Sequence, residues 1–461
     1  VPLQIPTLGR GIHANVRSPV FPLSVSANGR YLQSADGTPF RVQCDAVWLA
    51  TTRSNSSEWD TYIADRKARG FNTVILMAIA QSGYQSFGTG SEPNNRAGNP
   101  PFNTPGDFST PNTAYFNYIE TLVSKANTAG LLVFLFYTYW GFSAGDQGWW
   151  TELGANSTPV CTAWGAFLGN KLKAYPNIIL GTGGDFSSST GTEVTRTKAI
   201  LAGIRSAGGY ATKWLAGNEW NNPDTLATAQ AGFTYGTDPT ASDQNLATFY
   251  GCGPSGNGQT FTTAASSYAA SPTLPSIIQE ACYVGETNLP GIDGSRPNMR
   301  AYHYWAVLGG STAGQCFGQH FLWNWETTGG TIWSDTLASN ESIDVSKAFG
   351  LYAQLRWHTH APAQSRVVSG VGSGGSTVVC SLASDGTSML AYRATNGTGT
   401  QTYDLDLRGM SGPTRARWFN PTTGVFTPEA TGLSNALSSR TFVTPGNNGT
   451  GTNDWVLVLD A

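Results

Sequence analysis

From Phe40 onward, short apolar runs alternate with segments whose apolar residues recur at helical spacing. "FRVQCDAVWLA" (40–50) reads as a strand. After it, Ser56-Ser57-Glu58 offers a helix start, and Trp59, Tyr62, Ile63 and Arg66 share a face until Gly70 stops the helix. A second strand reads at 71–80, then a long polar segment at 82–112. Tyr115, Ile119, Leu122, Val123 and Ala126 form the stripe of a helix ending at Gly130. Further strands read at 131–140, 177–182, 213–217, 245–250, 276–282 and 316–324. Helices read near 160–174, 193–207, 260–270, 297–308 and 344–357. Eight near-continuous apolar strands with helical crossovers predict an α/β fold, a (β/α)8 TIM barrel. A doubly wound open sheet is the alternative, but no G-x-G-x-x-G follows a strand, so its nucleotide-binding form loses support. After "RWHTHAPAQSR" (356–366) the texture becomes short, alternating and turn-rich. These patterns predict a catalytic barrel over 1–362 and a C-terminal all-β sandwich over 363–461. "LSVSANGRYLQSADGTPF" (23–40) reads as a β-hairpin capping the barrel, with turns at Asn28-Gly29 and Asp36-Gly37.

In a barrel, the C-terminal ends of the strands carry the chemistry. Here "YPNIILGTGGDFSSS" ends a strand on Gly183-Gly184-Asp185, and "SIIQEACY" places Glu280 directly after an apolar run. Taken in isolation, an acid such as Asp185 more often simply caps the next loop. The other strand ends weigh against that reading: Asp45 and Trp48, Gln81, Trp140 after Tyr139, Asn218 and Glu219, then Gln319, His320 and Trp323. Carboxylates beside indoles at one rim describe a sugar-cleaving site, with two acids for catalysis and ring faces for sugar stacking. Trp48, Trp140 and Trp323 are the expected platform.

Composition narrows the classes further. Charged residues make up 12% of the chain, about half the usual roughly 25%. A net charge of −3 and no dense Lys/Arg run argue against a nucleic-acid partner. The apolar runs are shorter than the ~18–20 residues of a membrane span. The six cysteines show no CxxC spacing, so no metal or other cofactor is expected, and an even count fits disulfides. Sequons at Asn55, Asn156, Asn340, Asn396 and Asn448, together with low charge, point to a secreted glycoprotein. The chain opens at Val1 without a leader, which fits a signal peptide already removed. The histidines form no H-E-x-x-H, and G-x-S-x-G is missing.

The runs "LSVSANGRYLQSADGTPFRVQCDAVWLA", "YPNIILGTGGD", "PSIIQEACY" and "AYHYWAVLGGSTAGQCFGQHFLWNWE" resemble blocks of the apiosidase-like glycoside hydrolases. "RARWFNPTTGVF" and "NDWVLVLDA" are similar to that family's C-terminal β domain, sometimes titled collagen-binding. The resemblance implies a retaining glycosidase with Asp185 as acid/base and Glu280 as nucleophile. Asp45, Trp48, Gln81, Trp140, Asn218, Glu219, His320 and Trp323 would bind substrate. The expected substrates are plant cell-wall or related polysaccharide or oligosaccharide glycosides, and the chain is expected to act as a monomer. Two departures fall at subsite positions. Gly217-Asn218-Glu219 stands where an aromatic-His-Pro sequence is expected, and Gln319 stands where the family has His. A barrel that binds carbohydrate without cleaving it, and an adhesin acting through its β domain, are the competing readings.

Overall fold

The computed structural model describes residues 19–87, 92–186, 188, 190–219, 232–251, 259–286 and 294–461. Strands β1 (Ser24–Val25), β2 (Leu32–Gln33) and β3 (Pro39–Phe40) form a small antiparallel sheet. Gly29 and Gly37 make its turns at φ +72° and +83°, and their N–H groups bond back to Ser26 and Ser34.

Eight strands follow: β4 (Val42–Ala46), β5 (Thr73–Met77), β6 (Leu132–Tyr139), β7 (Ile178–Gly183), β8 (Ala216–Asn218), β9 (Ala247–Tyr250), β10 (Ser276–Glu280) and β11 (Gly314–Phe317). They pair in the order β8-β7-β6-β5-β4-β11-β10-β9. A parallel bridge between Gly217 and Leu246 joins the two ends of this sheet, giving a TIM-like barrel. Alternation sorts the side chains. Val42, Cys44, Ala46, Ile75, Met77, Phe134, Phe136 and Ile277 fill the interior. Val74, Leu76, Val133, Leu135, Ile178 and Leu180 pack outward with the helices.

The helix expected at 56 begins on an Asn55 cap. Its side chain accepts from Ser57 and Glu58, and Glu58 returns a bond to the Asn55 backbone. The strand expected at 316–324 is cut short, because Gln319 caps a helical turn, His320–Trp323, by accepting from the Leu322 N–H. Apolar character therefore continues past the strand's end.

The disulfide expectation needs correcting for most of the cysteines. Cys44, Cys161, Cys316 and Cys380 are free, buried thiols, while Cys252 lies outside the described residues. Two sequons are also structural. Asn156 and Asn448 are buried, and their amides bond to Gly106 and Asp454.

The C-terminal region holds a six-stranded antiparallel sheet and a three-stranded one, with a core between them that includes Tyr403, Trp418 and Leu457. Its outer face packs on the barrel helix Arg296–Gly309. Tyr304 stacks on Tyr392 at 4.6 Å, and the Trp305 indole donates to the Thr377 carbonyl. Arg300 grips Asp454 with two short bonds while also holding Asp344. Both regions thus share one apolar cluster.

Candidate active site

The sequence Gly183-Gly184-Asp185 has a local physical reason. All three residues lie at positive φ, +80°, +83° and +49°, so the chain turns sharply as β7 ends. A Cβ on Gly184 would sit 2.5 Å from the Tyr139 ring. Glycine therefore lets that ring lie against the backbone, and the Tyr139 hydroxyl reaches Asp185 Oδ2 at 2.6 Å. Tyr139 faces the interior because β6 carries a register shift between Phe136 and Thr138.

A second register shift, between Ile278 and Glu280, re-aims the end of β10. Glu280 hydrogen-bonds to Tyr283, whose oxygen accepts from the Trp48 indole at 2.7 Å. An indole N–H only donates, so the phenol proton is left for the carboxylate. Glu219, immediately after β8, completes a trio. It is 1% exposed, both of its carboxylate oxygens lack a hydrogen-bond partner among the described residues, and Oε2 would lie 3.6 Å from a Cβ on Gly184.

Electrostatics bind the three acids together. Burial raises the pKa of Asp185, and the Tyr139 hydroxyl opposes the rise. Burial and then the charge of Asp185 push Glu219 well above the usual carboxylate range. Glu280 is raised by burial, then by Asp185 and Glu219, with the Tyr283 bond pulling the other way. Two buried carboxylates and the half-buried Asp185, with no neighbouring cation among the described residues, cannot all ionise, so they titrate as a set. Tyr84, Tyr139, Tyr250 and Tyr283 are held as phenols, principally by burial, and each also feels the charge of Glu280. Among the described residues, no group of three His, Cys, Asp or Glu is arranged to hold a metal ion.

The other expected site residues divide. Trp48 and Trp323 line the mouth, with Trp323 against Tyr84, Tyr283 and His320, yet they are only 3% and 7% exposed. His320 is half-buried at the rim, and burial lowers its pKa. Gln81 donates to Glu152 rather than reaching the acids.

Two residues must be withdrawn from the site. Asp45 has the outward phase of β4 and accepts from Tyr62 and Arg66 on the neighbouring helix, where it serves the fold. Trp140 is wholly buried on the outer side, its indole donating to Thr197 and its ring against Trp150. Asn218, also outward in phase, is buried, and its side-chain amide has no hydrogen-bond partner among the described residues. Tyr84, Tyr250 and Tyr283 escaped the sequence reading. The available signal was a tyrosine in the segment that follows or ends a barrel strand.

Residues 26–359 match the family model described as "Apiosidase-like, catalytic domain". The chain belongs to the apiosidase-like family. Residues 361–460 of this apiosidase-like chain match the model titled "Putative collagen-binding domain of a collagenase". A solved structure titled "Glycoside hydrolase" is 19% identical, with TM-score 0.76 over 95% of this chain and 96% of its own. A glycoside hydrolase family 5 structure from Bacteroides vulgatus is also 19% identical, with TM-score 0.77 over 95% and 93%. At these identities the likeness speaks to fold. No curated protein matches the chain.

Proposed function

We propose that this apiosidase-like chain is a retaining glycoside hydrolase, with Glu280 as nucleophile and Asp185 as acid/base. The observation that carries the reading is the pairing of each carboxylate with its own phenol at one end of the barrel. Tyr283 favours the Glu280 anion that attacks the anomeric carbon. Asp185, with Tyr139 on one oxygen, keeps the other for the proton it gives to the leaving group. Once the glycosyl-enzyme forms, the charge on Glu280 is gone, Asp185 becomes more acidic, and it takes a proton from water. The substrate is a polysaccharide or oligosaccharide glycoside, held with Trp48, Trp323, His320 and Glu219. Gln81 and Asn218 support the walls from behind.

We also infer that the protein works outside the cell as a monomer. Exposed sequons at Asn340 and Asn396 support that reading, as does the low charge. Any disulfide would involve Cys252 and Cys282, the cysteines not held as free thiols.

The test is hydrolysis of a panel of polysaccharides and aryl glycosides, furanosides included. Glu280→Gln should abolish turnover of every substrate. Asp185→Ala should retain turnover where the leaving group needs no proton, and azide should accelerate it. Full activity in Glu280→Gln would overturn the assignment.

A further inference from the structure

Glu219 is unusual among the buried acids of this chain. Asp45, Asp344 and Asp454 each bond to an arginine, whereas Glu219 has neither a cation nor a donor on either oxygen among the described residues. It nonetheless sits within the electrostatic reach of Asp185 and Glu280. Burying such a group unpaired is costly, so its partner is expected to arrive with the substrate.

The surrounding face restricts what that partner can be. Among the described residues of the segments that leave the barrel strands toward the next helix (47–55, 78–87, 92–112, 140–157, 184–186, 188, 190–191, 219, 232–246, 251, 281–286, 294–295 and 318–339) there is no lysine. Their arginines are Arg53 and Arg96, outnumbered several-fold by Asp and Glu. Arg53 is bound to Glu92 at 2.6 Å and Arg96 to Glu58 at 2.7 Å. The one histidine there, His320, has its pKa lowered by burial. A face of this sign repels uronic acids and concentrates cations. A pectic backbone of uronates meets no uncommitted basic side chain in these segments.

We propose that Glu219 binds an amino group on the sugar, which makes the substrate an amino-sugar glycoside. An ammonium offers three N–H donors to the two empty oxygens and supplies the positive charge that the trio lacks. The inference rests on the glycoside hydrolase reading and narrows its substrate.

The test is equilibrium binding of glucosamine, galactosamine and mannosamine at one ionic strength. Their parent hexoses, N-acetyl derivatives and uronic acids serve as comparisons. At least one amino sugar should bind about tenfold or more tighter than its parent and its N-acetyl derivative, and the uronic acids should bind weakest. Glu219→Gln, matched in shape and checked for an unchanged melting profile at mildly acidic pH, should erase the difference. Glu219→Asp should retain part of it. No amino preference, or a preference that survives in Glu219→Gln, overturns the proposal. Turnover of glycosides without amine selectivity would sink this inference alone. Amine-selective binding without any turnover would instead sink the hydrolase reading.

Discussion

Replacing Tyr283 with Phe separates two roles of one hydroxyl. The wild-type oxygen accepts from Trp48 Nε1 at 2.7 Å, and its proton goes to Glu280. A hydrogen bond to a charged group contributes about 1.5–3 kcal/mol. Since one pKa unit corresponds to about 1.4 kcal/mol, its loss should raise the pKa of Glu280 by about 1–2 units. The acid limb of the kcat/KM profile reports ionisation of the nucleophile in the free enzyme, and it should move to higher pH by that amount. Rates above the shifted limb should fall far less than rates below it. The same change leaves the buried Trp48 indole without its acceptor, at a cost of about 1–3 kcal/mol in stability. The assay is a pH series of initial rates on a chromogenic glycoside, with urea unfolding alongside. A limb that stays in place, or moves toward acid, would refute the directional chain from Trp48 through Tyr283 to Glu280.

Trp140→Ala should destabilise the fold by about 3–5 kcal/mol, as expected for a buried tryptophan in a packed cluster. A stable variant with weakened sugar binding would restore Trp140 to the site. Asp454→Ala should cost about 3–5 kcal/mol by leaving Arg300 buried with part of its pairing gone. Urea unfolding checks this, and an unchanged midpoint would deny the β domain its buttressing role. The trio's pKa values lie above their unfolded values, so its contribution is present in acid and is lost as pH rises through the folded-state values. The melting temperature of Glu219→Gln should therefore fall less on the alkaline side than that of the wild type. A steeper alkaline loss in the variant would contradict that sign.

Much of the barrel was legible because buried parallel strands are apolar on both faces, as β5 and β6 are. Boundaries failed where apolar character outlasted the strand, as at Phe321-Leu322-Trp323, which pack as a helical turn. Site residues failed by phase. Asp45 alternates with inward Cys44 and Ala46, so strict alternation turns it outward. Trp140 and Tyr139 could not be separated this way, because the shift in β6 that brings Tyr139 inward has no mark in the sequence. Asp185 and Glu280 are legible as a candidate pair from strand ends and family resemblance. Their phenols depend on contacts across the barrel that chain order does not reveal.

The most direct test of the central claim is the configuration of the first-formed product, read by proton NMR within the opening minutes of hydrolysis. Attack by Glu280 followed by water, with Asp185 as acid and then base, predicts a product that retains the anomeric configuration of the substrate. An inverted product would contradict the account.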